Sequence, residues 1–482
     1  MDGLNRRTSR RALLGAAAAL AGGAALAACS SKTAAGAAGS SAQPSRTNPR
    51  TTVVFYAKPP NATTSQATLI SIMQEVLTPY YALHPGIDVK LIPEELADQT
   101  IITGILAGQQ MDIIYSNYFA PYYQQQLILP LQEYFKQDAV DPTIWNAAQY
   151  ALYNTAQGPM AIPVYTGTTA YAVNQALFDN LGLQYPDASW TQDDFVNVSR
   201  SATQAGKALA YGSDIFWYSN GPSQQASWVF KAFGGNQVST SGAPSQLGST
   251  QNQAALTWLY EDLFWPKISA AQDIVGTTQF IQGRLGLLMM ATWELLDFAE
   301  ALKGPALKFD FVPNPVFPAG RTTFCTADFY AIAANTQHAD DCWDLLNWVS
   351  VQPQWQRATF SYALRSPALN SLWDEWATTI QTVVPFFRGK DFSWFGDAAS
   401  KGYAYPVEYY PQADQSVWNL ISPYFTQLYQ QKIPTVQQAA AQIDQVVNAY
   451  ETAAQSEQAQ AQSEAQHFPT NGAAMTTVPT GL

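Results

Sequence analysis

Trp293 and Glu294 stand side by side just after an apolar run at 284–290, and similar pairings of a ring with a polar side chain recur along the chain. They are found at Tyr56-Ala57-Lys58, Tyr115-Ser116-Asn117-Tyr118, Tyr165-Thr166, Ile215-Phe216-Trp217-Tyr218 and Asp328-Phe329. Tyr403, Tyr405, Tyr409 and Tyr410 form a Tyr-rich loop. A ring face covers the apolar surface of a ligand, while carboxylates, amides and ammonium groups exchange hydrogen bonds with its polar atoms. Each pairing also has a plainer reading. Trp293 could be a core anchor at a helix start, Lys58 a solvated rim charge and Asp328 a turn cap.

Catalytic chemistry has few candidates. His84, His338 and His467 lie far apart, and no Cys/His spacing suits a metal. There is no G-x-S-x-G, no P-loop and no G-x-G-x-x-G. No cofactor is expected. What remains is a carboxylate pair drawn from Glu294, Asp328 and Asp214, which a glycoside hydrolase would hold ~5–10 Å apart across a sugar. Nothing in the spacing singles out such a pair. Cys325 and Cys342 either form a bridge or stay as buried thiols, because sequence does not set their separation.

Of 482 residues, 47% are hydrophobic, 13% aromatic and only 12% charged, and the net charge is −12. Without residues 1–28 the chain has 20 basic and 35 acidic residues, a net of −15. So acidic a chain has no general grip on phosphate backbones, which excludes nucleic acid as the expected partner. The composition suits a polar, aromatic-rich surface for a neutral ligand.

The elements that would position these rings alternate. Strand-like runs at 51–57, 87–92 and 111–115 are separated by helical patterns at 65–83 and 94–107. His84-Pro85-Gly86 stops the first helix. Further strands are expected at 159–164, 168–174, near Tyr211, and at 284–290, 307–312 and 327–333. Helices are expected at 175–181, 252–264, 340–351 and through most of 412–450. Thr191 with Asp194 three residues on predicts a capping box. The β-α-β-α-β opening predicts an α/β fold with mainly parallel sheets and helices on their faces.

The N-terminus reads as an export signal. Arg6, Arg7, Arg10 and Arg11 precede an Ala/Leu/Gly run at 12–28, too short and weakly apolar for a membrane span. Ser9-Arg10-Arg11-Ala12-Leu13-Leu14 resembles a twin-arginine signal, and Leu26-Ala27-Ala28-Cys29 a bacterial lipobox. Cys29 would carry the lipid. Residues 29–50 are then a flexible tether and 461–482 a disordered tail.

Several motifs occur in an order that resembles the extracellular solute-binding proteins of family 1, the sugar-binding subunits of bacterial ABC importers. Tyr80–Val89 is similar to the family's F-x-x-x-x-P-G-I-x-V. Ile105-Leu106-Ala107-Gly108 followed by Met111-Asp112-Ile113-Ile114 resembles A-G-x-x-P-D-V, with Met111 in place of Pro. Ser189–Phe195 resembles S-W-T-W-D-E-F, and Phe233-Gly234-Gly235, Phe280 with Gly283-Arg284, and Trp293 also match. Gln175 stands where the family usually has Lys.

The resemblance implies a two-lobed periplasmic-binding-protein type II fold with hinge crossovers near 163–167, 312–318 and 352–360. Lobe 1 would be 50–163 with 314–353, and lobe 2 would be 164–313 with 354–460. The implied protein is a monomeric, lipid-anchored, extracytoplasmic binder that delivers carbohydrate to the importer's transmembrane subunits. Its ligand-binding residues would come from Trp293, Glu294, Tyr56, Lys58, Tyr115, Asn117, Tyr165, Thr166, Trp217, Tyr218, Asp328 and Tyr403. Arg365 would be structural. The alternatives are a secreted glycoside-active enzyme and a binder of a non-sugar solute such as a polyamine or glycerophosphodiester.

Overall fold

The β-branched and aromatic run after residue 50 forms β1 (Thr51–Tyr56), and the next two predicted strands form β2 (Ile87–Ile92) and β3 (Ile113–Ser116). Helices Gln66–Leu83 and Asp98–Leu106 join them. The computed structural model describes residues 51–57, 66–92, 96–205, 211–216, 227–236, 246–271, 273, 276–302, 307–326, 328–406 and 415–467. The signal-like segment, the tether, Cys29, Lys58, Trp217 and Tyr218 lie outside the described residues.

β1 pairs in parallel with β2 and with β3. The chain later adds β4 (Ile162–Pro163), then leaves to build a second sheet from β5 (Thr169–Asn174), β6 (Tyr211–Ile215), β7 (Ser269–Ala271), β8 (Leu285–Ala291) and β9 (Phe309–Val312). It returns to insert β10 (Phe329–Ile332), antiparallel, between β3 and β4. The sheet orders are β2-β1-β3-β10-β4 and β9-β5-β8-β6-β7. In the second sheet only β5 runs against its neighbours. Every residue of β5 and β8 is buried, as expected for strands covered on both faces.

Three apolar clusters account for the layers. Val53, Phe55 and Tyr330 share one cluster with Phe309, Phe311 and the late-chain residues Trp376, Phe392 and Phe395. Tyr171, Leu287 and Met289 pack on the other face of the second sheet against Ile421, Phe425, Ile443 and Val447. Ile114, Phe329 and Ala331 face Ile101, Met111, Phe119 and Tyr122.

The predicted capping box forms. Thr191 Oγ1 accepts from Asp194 N at 3.2 Å, and Thr191 N donates to Asp194 Oδ2 at 2.8 Å. Asn174 caps the helix Gln175–Leu181, which ends at Gly182 with φ 64°. Other expectations need correction. The run 159–164 carries only the short strands Gly158–Pro159 and Ile162–Pro163. The helical stretch 412–450 is two helices, Gln415–Tyr429 and Val436–His467, parted where Gln431 turns left-handed at φ 57°. The second helix runs past residue 460 into the expected tail. Cys325 and Cys342 are buried free thiols, not a bridge. Cys325 lies in the strand Thr323–Cys325 and bridges to Thr168.

Candidate functional site

Register places the strand ends. Phe329, the first residue of β10, pairs with Ser116 at the end of β3 and with Pro163 at the end of β4. Thr169, the first residue of β5, pairs with Ala291 at the end of β8. Both sheets therefore turn their carboxyl edges toward the segments that pass between them, 163–169 and 312–329. A third segment, 364–368, joins them: Thr166 N donates to Pro367 O at 3.2 Å, and Ser366 Oγ donates to Thr166 O at 3.0 Å. A crevice outside the carboxyl ends of strands is where open α/β sheets bind ligands.

The crossing is polar and densely bonded. The Tyr115 hydroxyl donates to Asp328 Oδ1, and Asp328 is only 2% exposed. The Arg365 guanidinium lies 4.6 Å from the centroid of the Tyr165 ring. Burial opposes the Arg365 charge, and the Tyr165, Tyr115 and Asp328 oxygens around it more than offset that, so the guanidinium is held charged. Thr166 Oγ1 donates to Gln149 Oε1 at 2.6 Å, and Gln149 Nε2 donates to Tyr165 O at 3.0 Å. Val164 N donates to the Asp328 carbonyl at 3.1 Å. Four of the expected ligand contacts, Tyr115, Tyr165, Thr166 and Asp328, are thus brought together, bonded within the protein. Arg365 joins them.

The carboxyl edge of the second sheet is aromatic instead. Trp293, in the turn after β8, is half-buried and meets Phe216 and Phe324 edge-on, each at 5.7 Å between centroids. Phe216 and Phe324 stack on each other at 5.7 Å. The turn is tied to the crossing, since Thr292 N donates to Thr168 O at 3.0 Å. The indole lies against Gly167. A Cβ there would fall 2.8 Å from Cε3 of Trp293 and 2.7 Å from Cγ2 of Thr326, so only glycine fits.

Glu294 accepts from Ala291 N at 3.0 Å. Burial pushes its carboxyl up to about 7, the Ala291 N–H pulls it down, and Asp297 raises it further. Asp214, at the end of β6, is fully buried and accepts from Met289 N at 2.6 Å. Burial first, and then Glu294, hold its proton on well above the ordinary carboxylate range.

Tyr56 is half-buried at the end of β1, and Asn117 is exposed just after β3. Tyr403 is half-buried, and its carbonyl accepts from Thr323 N at 2.9 Å. Phe324 and Gly167, which frame Trp293 together with Phe216, carry no signal of that role in the sequence. Phe216 carries one, as a member of the aromatic run 215–218. Among the described residues no group of three His, Cys, Asp or Glu could hold a metal ion, and no helix is long and apolar enough to cross a membrane.

A chain of Brucella abortus that carries the general name of a binding protein is 23% identical over 310 residues, covering 60% of this chain and 70% of its own. The sugar-binding protein MalE of Xanthomonas citri superposes with a TM-score of 0.68 at 17% identity, covering 84% of this chain and 98% of its own. An ABC substrate-binding protein of Listeria monocytogenes in complex with cycloalternan gives 0.65 at 16% identity, over 83% and 98%. These likenesses establish the type II periplasmic-binding fold. Residues 62–352 match the profile of the bacterial extracellular solute-binding proteins, and the chain belongs to that family.

Proposed function

We propose that this solute-binding protein captures a sugar or oligosaccharide between two lobes and hands it to the transmembrane subunits of an ABC importer. The observation that carries the reading is the convergence of both sheets' carboxyl edges on the crossing segments, with the half-buried Trp293 seated against Gly167. Stacking on an indole shields the C–H face of a sugar ring from water. The sugar-binding protein of Xanthomonas citri and the cycloalternan complex support the same class of ligand. Lobe 1 would comprise 50–163 with 314–353, and lobe 2 would comprise 164–313 with 354–460. Closure of the lobes would follow the hinge motion of binding proteins. Tyr56, Asn117 and Glu294 would complete the polar contacts, together with Lys58, Trp217 and Tyr218. The protein would act extracytoplasmically as a monomer, held by lipid on Cys29, and would bind without turnover.

Thermal shift and titration calorimetry against mono- and oligosaccharides test this, since a ligand bound only by the native state raises stability. Trp293→Ala should weaken binding by ~1–3 kcal/mol, the scale of a buried aromatic anchor. The ring packs on Phe216 and Phe324, so the same change should cost about 1–3 kcal/mol of stability, less than a fully buried Trp. Affinity intact alongside lost stability would make Trp293 a core residue and remove it from the site. Hydrolysis of aryl glycosides or oligosaccharides would refute binding without turnover. Cys29→Ser should release the protein from the membrane fraction, and unchanged association would remove the lipid anchor.

A further inference from the structure

A recess adjoins the segment that leads into the strand carrying Phe324. The strand Thr323–Cys325 turns Phe324 toward Trp293 and pairs in parallel with Ala404–Pro406. This open recess of about 430 Å³ lies beside that pair. Lys231, Asn236, Arg321, Tyr403 and Tyr405 line it, from the end of the helix Ser227–Ala232, the hairpin Val316–Phe317/Gly320–Arg321 and the strand Ala404–Pro406.

Its chemistry is unlike the rest of the chain. Two cations share one recess in a protein with 36 acidic and 24 basic residues. Arg321 donates to the carbonyls of Asn314 and Ala188, which fix the guanidinium in place, while burial opposes its charge and the Tyr403 oxygen and Asp397 favour it. Among the described residues no carboxylate lies within ion-pair distance of Arg321. The nearby acid, Asp397, pairs with Lys401 at 2.7 Å. A guanidinium has five N–H donors, so fixing it through two carbonyls leaves donors to spare. Burial and Asp397 keep the proton on the Tyr403 hydroxyl, which is therefore a donor to any anion in the recess. A preorganised cation with hydroxyl donors around it matches a phosphate or carboxylate.

We propose that this recess, lined by Lys231, Arg321, Tyr403 and Tyr405, binds an anionic group, a phosphate or carboxylate carried on a small sugar or polyol. The proposal does not depend on the neutral-sugar reading.

The test is calorimetry and thermal shift on the full chain with inorganic phosphate, glucose 6-phosphate, glucuronate and neutral glucose. Glucose 6-phosphate or glucuronate should bind and raise the melting temperature, and the affinity should fall as salt rises. Lys231→Gln and Arg321→Gln should each weaken that binding at least tenfold. Arg321 also pins two loops, so its variant could fail to fold. Lys231→Gln and Tyr403→Phe then carry the test, each read against its own unliganded melting temperature. Trp293→Ala should leave anion binding in place while weakening neutral sugars. Binding of inorganic phosphate as tightly as the sugar anions would point to a free-ion site and overturn the sugar-borne class. No anion bound at millimolar concentration, or anion binding unchanged in Lys231→Gln, would overturn the site itself and leave the Trp293 reading standing.

Discussion

The two sheets turn their carboxyl edges to the same crossing segments and use the residues there differently. On the first sheet, Tyr115 at the end of β3 is buried and bonded to Asp328, with Arg365 and Tyr165 beside them. On the second, Trp293 is half-buried, its edges fixed by Phe216 and Phe324. Both residues are aromatic, both follow a strand and both adjoin polar neighbours in sequence. Whether the polar partner is supplied inside the protein separates a hinge residue from a candidate contact. Asp328 and Arg365 supply it for Tyr115 and Tyr165, and among the described residues the Trp293 ring lies against Phe216, Phe324 and Gly167.

The sharpest way to break this contrast is Asp328→Ala. It removes the acceptor of Tyr115 and the carboxylate beside the Arg365 charge. Loss of one partner of a buried charged pair costs about 3–5 kcal/mol. Urea unfolding should show that loss. A change below about 1 kcal/mol with weakened ligand binding would return Asp328 to the contact set.

Glu294 offers a second test, by pH. Its carboxyl is held at about 7 by burial, above the ordinary 4.5 of the unfolded chain, so the native state keeps the proton longer. Stability contributed by the neutral form is full below about pH 4.5 and is lost as pH rises toward 7. Asp214, raised in the same direction by burial and by Glu294, should steepen the fall. The share from Glu294 should be about 1–3 kcal/mol, at about 1.4 kcal/mol for each tenfold change in proton concentration across that window and allowing for partial exposure, with the share from Asp214 added to it. Glu294→Gln should flatten that slope. An unchanged pH profile in Glu294→Gln would show that the carboxyl titrates normally.

The smallest change is Gly167→Ala, which adds one methyl group between Trp293 and Thr326. Overpacking at such a contact costs about 1–3 kcal/mol, and the ring must move to relieve it. Ligand affinity should drop together with stability. A variant as stable as the parent, with unchanged tryptophan fluorescence, would show that the indole does not rest on the crossing.

Much of the fold is legible in sequence because its signals are local. The β-branched run at 51–57, the Pro-Gly stop after His84 and the Thr191–Asp194 box each act within a few residues, and each forms. The order of short motifs carries the two-lobed arrangement. The site is less legible, because its distinctions depend on partners far away in the chain. Tyr115 and Asp328 are 213 positions apart, and nothing near either residue names the other. Lys231 and Arg321 are invisible as a pair for the same reason. The break in 412–450 does carry a local signal: Pro434-Thr435 follows the left-handed Gln431, and the Thr435 hydroxyl accepts from Gln438 N at the start of the second helix.

The buried thiol of Cys325 gives the crossing a built-in clock. It sits in the strand that bridges to Thr168, and burial pushes it well away from the thiolate. A thiol reagent can reach it only when that strand pair comes apart, so in a Cys29→Ser/Cys342→Ser background the labelling rate would count local openings. Ligand that closes the lobes without tightening the crossing would leave the clock unchanged. Ligand that draws the crossing segments together would slow it. Those two outcomes separate hinge bending from hinge stiffening, a distinction that affinity measurements cannot make.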